Sequence, residues 1–139
     1  MAQDFLVEIL TPQGEVLNAR ASEVTVPSFK GELGILPNHE NLVGLLSTGT
    51  VKVVTSGKDF WYAVSKGAFK INSGNLTLFA EFGASAEKLE VAKIEAEIQK
   101  AESEMKDLSD TRSLPYVEAK HKLDKAKAML SAARRTAMM

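Results

Sequence analysis

The 139-residue chain contains no cysteine, which excludes disulfides, thiolate metal sites and a cysteine nucleophile and fits a reducing compartment. Histidine is scarce: only His39 and His121 are present, far apart, so a histidine-rich metal site is not expected. A dominant charge is missing too. Seventeen Lys and Arg oppose eighteen Asp and Glu, and the net charge of −1 provides no global field for nucleic acid or an acidic membrane surface. No apolar run approaches the roughly 20 residues that span a bilayer. Met1-Ala2-Gln3-Asp4 does not open a basic region followed by a hydrophobic stretch, and no Arg- and Ser-rich transit segment follows, so no leader is expected. Catalytic motifs are also lacking. Gly57-Lys58-Asp59 has neither the upstream glycine nor the hydroxyl of a phosphate loop, and there is no metalloprotease helix motif and no Gly-x-Ser-x-Gly.

With 45% hydrophobic and 25% charged residues, the chain can bury a core. Its composition is divided unevenly. All nine glycines lie in the first 83 residues, whereas the remaining 56 hold eleven alanines and a single aromatic, Tyr116. Glycine punctuates turns and alanine favours helices, so a β module is expected over 1–84 and an α module over 85–139. In the first part, apolar alternation recurs between turn signals. Phe5 to Leu10 precedes Thr11-Pro12-Gln13-Gly14, and Ala21 to Pro27 places Val24 and Val26 on one face. Val51, Val53 and Thr55 precede Ser56-Gly57-Lys58-Asp59. Phe60 to Ser65, Ala68 to Asn72 and Leu76 to Phe82 follow, with Lys66-Gly67 and Ser73-Gly74-Asn75 between them. This grammar predicts an antiparallel sandwich or flattened barrel.

The second part has a helical period. Val91, Ile94, Ile98, Ala101, Met105 and Leu108 form one seam; Tyr116, Ala119, Leu123, Ala126, Leu130, Ala133 and Ala137 form another. Asp107 to Pro115 separates them, so an antiparallel two-helix hairpin is expected, with Pro115 in a first helical turn. Alanine seams bury little area, and the hairpin reads as marginally stable alone and open to rearrangement. Seven acids and four bases lie between Ala86 and Asp107; two acids and six bases lie between Tyr116 and Arg135. The bases are Lys120, Lys122, Lys125, Lys127, Arg134 and Arg135. They read either as a solvated face attracted to the first helix or as a contact for an acidic partner surface. His121, among the lysines, is expected to face solvent.

The most unusual stretch is Gly31-Glu32-Leu33-Gly34-Ile35-Leu36-Pro37-Asn38-His39, which reads equally as a structural turn or as a contact loop. An acid/base pair of His39 with Glu40 or Glu32 is the one enzymatic arrangement on offer. Adjacent loop residues are commonly chemically unrelated, so a non-catalytic protein is expected.

That stretch, following Val24-Thr25-Val26-Pro27, resembles the signature of the epsilon subunit of bacterial and chloroplast F-type ATP synthases. Gly49-Thr50-Val51-Lys52-Val53 and Val64-Ser65-Lys66-Gly67-Ala68-Phe69 fit as well, as do the length and the order of modules. Asn38 stands where the family usually has glycine, and Asn tolerates the positive φ such a turn needs. The resemblance implies a rotor protein of the central stalk that couples proton flow to the catalytic head. Its sandwich would pack on the gamma subunit and the ring of membrane-embedded c subunits, with Glu32 towards the ring and His39 towards gamma. It implies a hairpin that folds down or extends along gamma and restrains ATP hydrolysis, its bases meeting an acidic segment of the beta subunits, with the alpha subunits nearby. It implies membrane association through the complex alone, at the cytoplasmic side of a bacterial plasma membrane in preference to the thylakoid. Some members bind ATP through Ile/Leu-Asp-x-x-Arg-Ala at the start of the first helix. Here the match is Leu89-Glu90-Val91-Ala92-Lys93-Ile94. Lysine lacks the planar fork of arginine, so Glu90 and Lys93 read as a surface pair, with weak ATP binding or none and no cofactor. The competing reading is a free-standing sandwich that binds a ligand, with a hairpin that dimerises through the Val91 and Tyr116 seams.

Overall fold

The computed structural model describes residues 3–137, with the backbone alone at Ala137. Met1-Ala2, on which the leader reading begins, and the seam side chain of Ala137 lie outside what is described. Ten strands come first: β1 (Phe5–Thr11), β2 (Gly14–Ala21), β3 (Glu23–Ser28), β4 (Gly31–Ile35), β5 (Leu42–Leu46), β6 (Gly49–Thr55), β7 (Lys58–Val64), β8 (Gly67–Asn72), β9 (Asn75–Ala80) and β10 (Gly83–Ser85). A 3-10 turn (Ala86–Lys88) leads to α1 (Val91–Lys106) and α2 (Leu114–Ala137). The change from strand to helix thus falls at Ser85–Ala86.

The strands follow the order β10-β7-β6-β3-β5-β8-β9-β1-β2, with β4 added to β3. The path curls until its ends approach. A side chain at Gly83 of β10 would lie 3.3 Å from Val16 of β2 and 3.4 Å from Ile9 of β1. β3 turns a corner: Glu23 to Thr25 pair with β6, whereas Ser28 pairs with Leu46 of β5. The change falls beside Pro27, which has no N–H to donate. The class is the expected sandwich, with one departure. β1 and β9 run parallel, Val7 opposite Leu76 and Ile9 opposite Leu78.

Alternation explains the core. Phe5, Val7 and Ile9 of β1, Val24 and Val26 of β3, Val51 and Val53 of β6, Phe69 and Ile71 of β8, and Leu76 and Leu78 of β9 are all buried. Each set shares one parity and therefore one sheet face. The two-residue loops Ser56-Gly57 and Ser73-Gly74 have φ of 52° and 76°, and of 53° and 82°. Two successive left-handed residues match the twist of the flanking strands, as type I′ hairpins require. Asn38 takes the positive φ anticipated for it, 65°.

The stretch from Gly31 is not a projecting loop at its start. Gly31 to Ile35 forms β4, paired with β3 from Ser28 back to Val24. Sequence pattern hides β2 and β4 because only one residue of each is fully buried, Ala21 and Ile35.

The helices have the expected seams. Ile94 and Ala101 of α1 and Ala119, Leu123, Ala126 and Ala133 of α2 are buried. Ser113 caps α2: its hydroxyl accepts from the Tyr116 N–H at 3.4 Å and donates to the Asp110 carbonyl at 2.8 Å. Pro115 occupies the first turn. The hairpin lies against the sandwich through Ala63 of β7, Ala86, Ile94, Ala126, Ala128, Met129, Ala132 and Ala133. Ala128, Met129 and Ala132 make up a buried stripe that seam-reading misses, because alanine also reads as a plain helix former. Both seams are used within the chain, which weighs against a hairpin that dimerises through them.

Gly67 has a strict steric role. A Cβ there would sit 1.8 Å from the Phe79 carbonyl oxygen, whereas one at Gly34 meets nothing within 4 Å. Gly67→Ala is expected to cost about 3 kcal/mol through overpacking, and Gly34→Ala about 0.5 kcal/mol or less. Urea unfolding of both variants checks this, and equal midpoints would contradict it. Burial, reinforced by Glu87, raises the Tyr62 hydroxyl above its ordinary value near 10. Folding therefore favours the protonated phenol. That stability is complete below about pH 10 and is lost as pH rises through the higher folded value. Tyr62→Phe should abolish this alkaline loss in urea midpoints measured against pH.

Candidate docking surface and basic helix

One part of the sandwich is apolar on its outer face as well. Register aligns Leu45 of β5 with Ala68 of β8, Ala68 with Phe79 of β9, and Phe79 with Leu10 of β1. Their neighbours Leu46, Phe69, Leu78 and Ile9 point into the core, so this row points out. Phe29, at the β3–β4 turn, adds a ring beside it and is 68% exposed; Val43 and Leu45 are 75% and 58% exposed. Ser28 shapes that turn, its hydroxyl donating to the Gly31 carbonyl at 2.6 Å and accepting from the Lys30 N–H at 3.2 Å. Leu10, Leu45 and Phe79 of the row, with Phe29, Pro12 and Lys66, border an open groove of about 600 Å³. Contiguous exposed apolar side chains of this kind make the groove a candidate interaction surface. Sequence reading missed it. The signal was Leu42-Val43-Gly44-Leu45-Leu46, apolar at both parities where a strand facing water on one side would alternate.

Glu32 and His39 lie apart. Glu32 is exposed on β4 opposite Pro27, and with Lys52, Trp61 and Arg135 it borders a recess of about 150 Å³. His39 is half-buried in the loop after β4, where its Nδ1 donates to the Glu40 carbonyl oxygen at 2.8 Å. That bond places the proton on Nδ1, and the Glu40 partner is backbone rather than carboxylate. No hydrogen bond among the described residues joins His39 to Glu32 or to the Glu40 side chain, so the acid/base arrangement lacks its geometry. Asn38 Nδ2 donates to Gln3 Oε1 at 2.9 Å and ties the same loop to the chain start.

The six bases of α2 do not form one face. Lys125 Nζ lies 4.1 Å from the Phe82 ring centre, and the Arg135 guanidinium lies 4.7 Å from that of Trp61. Arg134 donates to Glu95 of α1 at 3.0 Å. Lys120, Lys122 and Lys127 are exposed, with no ion pair among the described residues. His121 faces solvent only in part. It is half-buried, with Nε2 3.5 Å from Glu81 Oε2, because it shares a helix face with the buried Ala128.

Glu90 precedes α1 as its N-cap without a side-chain capping bond, and both it and Lys93 are exposed. Among the described residues no group of three or more His, Asp or Glu is placed to hold a metal ion. No described helix is long and apolar enough to cross a membrane.

Trp61 is the sole tryptophan, so it reports on Arg135 directly. Arg135→Ala should shift the tryptophan emission and lower stability by about 0.5–1 kcal/mol, the worth of an exposed cation–π contact. Fluorescence spectra and urea unfolding check this; unchanged emission would show that the cation does not rest on the ring in solution.

Comparison with known proteins agrees with this architecture. The family model for the ATP synthase delta/epsilon chain β-sandwich domain matches residues 4–86. The ATP synthase epsilon chain of Desulfitobacterium hafniense strain Y51 is 31% identical over 134 residues, covering 96% of this chain and 99% of that protein. That of Pelotomaculum thermopropionicum is 34% identical over 99 residues, 71% of this chain and 74% of that one. Among solved structures, a chain of the Euglena gracilis mitochondrial ATP synthase (OSCP, F1 and c-ring) superimposes with a TM-score of 0.76 at 17% identity, covering 98% of this chain and 82% of that chain. A chain from the central stalk and c-ring of the Tetrahymena thermophila mitochondrial enzyme gives 0.61 at 15%, covering 94% and 97%. These two share the fold. With the family's sandwich model matched over residues 4–86 and a bacterial relative aligned along nearly the whole length, the chain belongs to the ATP synthase delta/epsilon family, as an epsilon chain.

Proposed function

We propose that this chain is a non-catalytic rotor subunit of a proton-translocating, membrane-associated F-type ATP synthase, seated on the gamma subunit through the apolar row of Leu10, Leu45, Phe79 and Phe29. That row carries the reading: a sandwich whose outer face is apolar gains free energy by covering it. The ring of c subunits is the second neighbour, met at the exposed Glu32 end of β4, and His39 lies towards gamma. Torque passes from ring to head through a body that does no chemistry. The site of action is the cytoplasmic side of a bacterial plasma membrane, reached through the complex.

The hairpin acts as a brake on ATP hydrolysis when it leaves the sandwich and extends towards the beta and alpha subunits. Its bases then meet acidic surface on the beta subunits. The docked hairpin opposes this, because Lys125, Arg134 and Arg135 already have partners. Nucleotide plays no part in holding it down. Glu90 and Lys93 stand exposed at the start of α1, without the planar donor a phosphate or base edge would use.

Two measurements test these readings. A catalytic head depleted of its epsilon subunit is assayed for ATP hydrolysis with the full chain or with a chain ending at Ser85. Both should bind, and only the full chain should slow hydrolysis. Binding of both without inhibition would remove the brake; failure of both to bind a matched head would overturn the rotor reading. Separately, millimolar ATP should leave the thermal midpoint of the isolated chain unmoved, since a ligand specific to the folded state raises it as its concentration rises.

A further inference from the structure

Helix α2 carries a third stripe that neither seam explains. Leu114, Val117, His121, Asp124 and Ala128 recur at spacings of three and four, which places them on one face. The sandwich covers the lower part of this face. Ala128 is buried, and His121 meets Glu81. The upper part runs on uncovered: Leu114 is 68% exposed and Val117 51%. Val117, His121 and Lys127 form one wall of a second open groove of about 580 Å³, with Phe29, Thr48 and Lys66 on the other side. Phe29 and Lys66 also border the apolar groove on the sandwich. The two grooves therefore adjoin at Phe29 and Lys66, with Leu10 and Phe79 on one side and Val117 on the other.

We infer that the partner seated on the apolar row also grips the first half of α2, and so binds the docked hairpin in preference to an undocked one. This rests on the reading that the row seats gamma, and adds that one gamma surface spans sandwich and helix. The meeting of the two grooves at Phe29 and Lys66 carries the inference. The linings state what the partner must offer: apolar side chains over Phe79, Phe29 and Val117, and polar groups of both signs where Lys66 and Lys127 stand with Asp124 and His121. When the hairpin leaves the sandwich, one wall goes with it and the partner loses that contact. By linkage, the partner holds the hairpin down by the same factor through which docking strengthens its own binding. The contact that anchors the sandwich thus also sets how readily the hairpin is released.

The absence of native cysteine makes the test direct. Full-length Val117→Cys and Phe79→Cys are each labelled with a benzophenone maleimide, added to a catalytic head depleted of this subunit and photolysed. Both should attach to gamma, and Val117→Asp should weaken binding to the head about tenfold, the equivalent of ~1.4 kcal/mol. If position 79 reaches gamma while position 117 reaches a catalytic subunit, a second copy of this chain or nothing, the inference is overturned and the seating of the sandwich stands. Unaltered affinity of Val117→Asp overturns it likewise. If position 79 does not reach gamma, the seating itself fails and the inference with it.

Discussion

Alanine sets the distance between the helical hairpin and the sandwich. Ala63 on β7 shares one buried cluster with Ala126, Ala128, Ala132 and Ala133 of α2, and small side chains predominate there, with Ile94 and Met129 its larger fully buried members. Helix packing distance follows the side chains at the contact. At this separation Lys125 and Arg135 reach the rings of Phe82 and Trp61, and His121 reaches Glu81. A longer side chain at position 128 or 132 would lift α2 and loosen all three contacts together. The interface fixes position well but buries modest area per residue, which suits an element whose place is defined and whose release is affordable.

The bases of α2 divide between two tasks. Three are engaged inside the docked molecule, by aromatic faces and by Glu95, while Lys120, Lys122 and Lys127 remain at the surface. An extended hairpin that met acidic surface would first have to leave those internal partners. Docked and extended forms would draw on the same charges. The difference between them is then set by the partner more than by the helix, and modest changes in the partner's charge would move the balance.

Much of this was legible in the sequence where one parity or one helical face is wholly buried. Val7 and Ile9, Val51 and Val53, and Leu76 and Leu78 reveal their strands because alternation is the direct image of a one-sided core. The Ile94–Ala101 and Ala119–Ala133 seams reveal the hairpin in the same way. β2 and β4 were hidden because Glu15, Asn18, Glu32 and Gly34 carry little burial signal. β5 was hidden for the opposite reason: Leu42 to Leu46 is apolar on both faces. The docking row could not be read because its members come from β1, β5, β8 and β9, and only register brings them together. The partial cover of His121 was hidden by the lysines around it, since the alanine that decides its face lies two turns away. The Gly31–His39 motif identified the family, but its residues are shared between β4 and a following loop, and motif identity alone did not show that division.

The parallel pairing of β1 with β9 bears on how the molecule reaches this state. Asn75 accepts the Leu6 N–H through its side chain across a separation of 69 residues, and the strands on either side of that bond hold Val7, Ile9, Leu76 and Leu78 in the core. β1 must therefore wait for β9 before its inner side is covered, whereas α1 and α2 need only a short loop to meet. Closing so long a loop carries a large entropic cost before any contact rewards it. The sandwich is then the slow step of folding and the hairpin the fast one, and a nascent chain stalled before Asn75 presents Phe5, Val7 and Ile9 to solvent as a sticky edge.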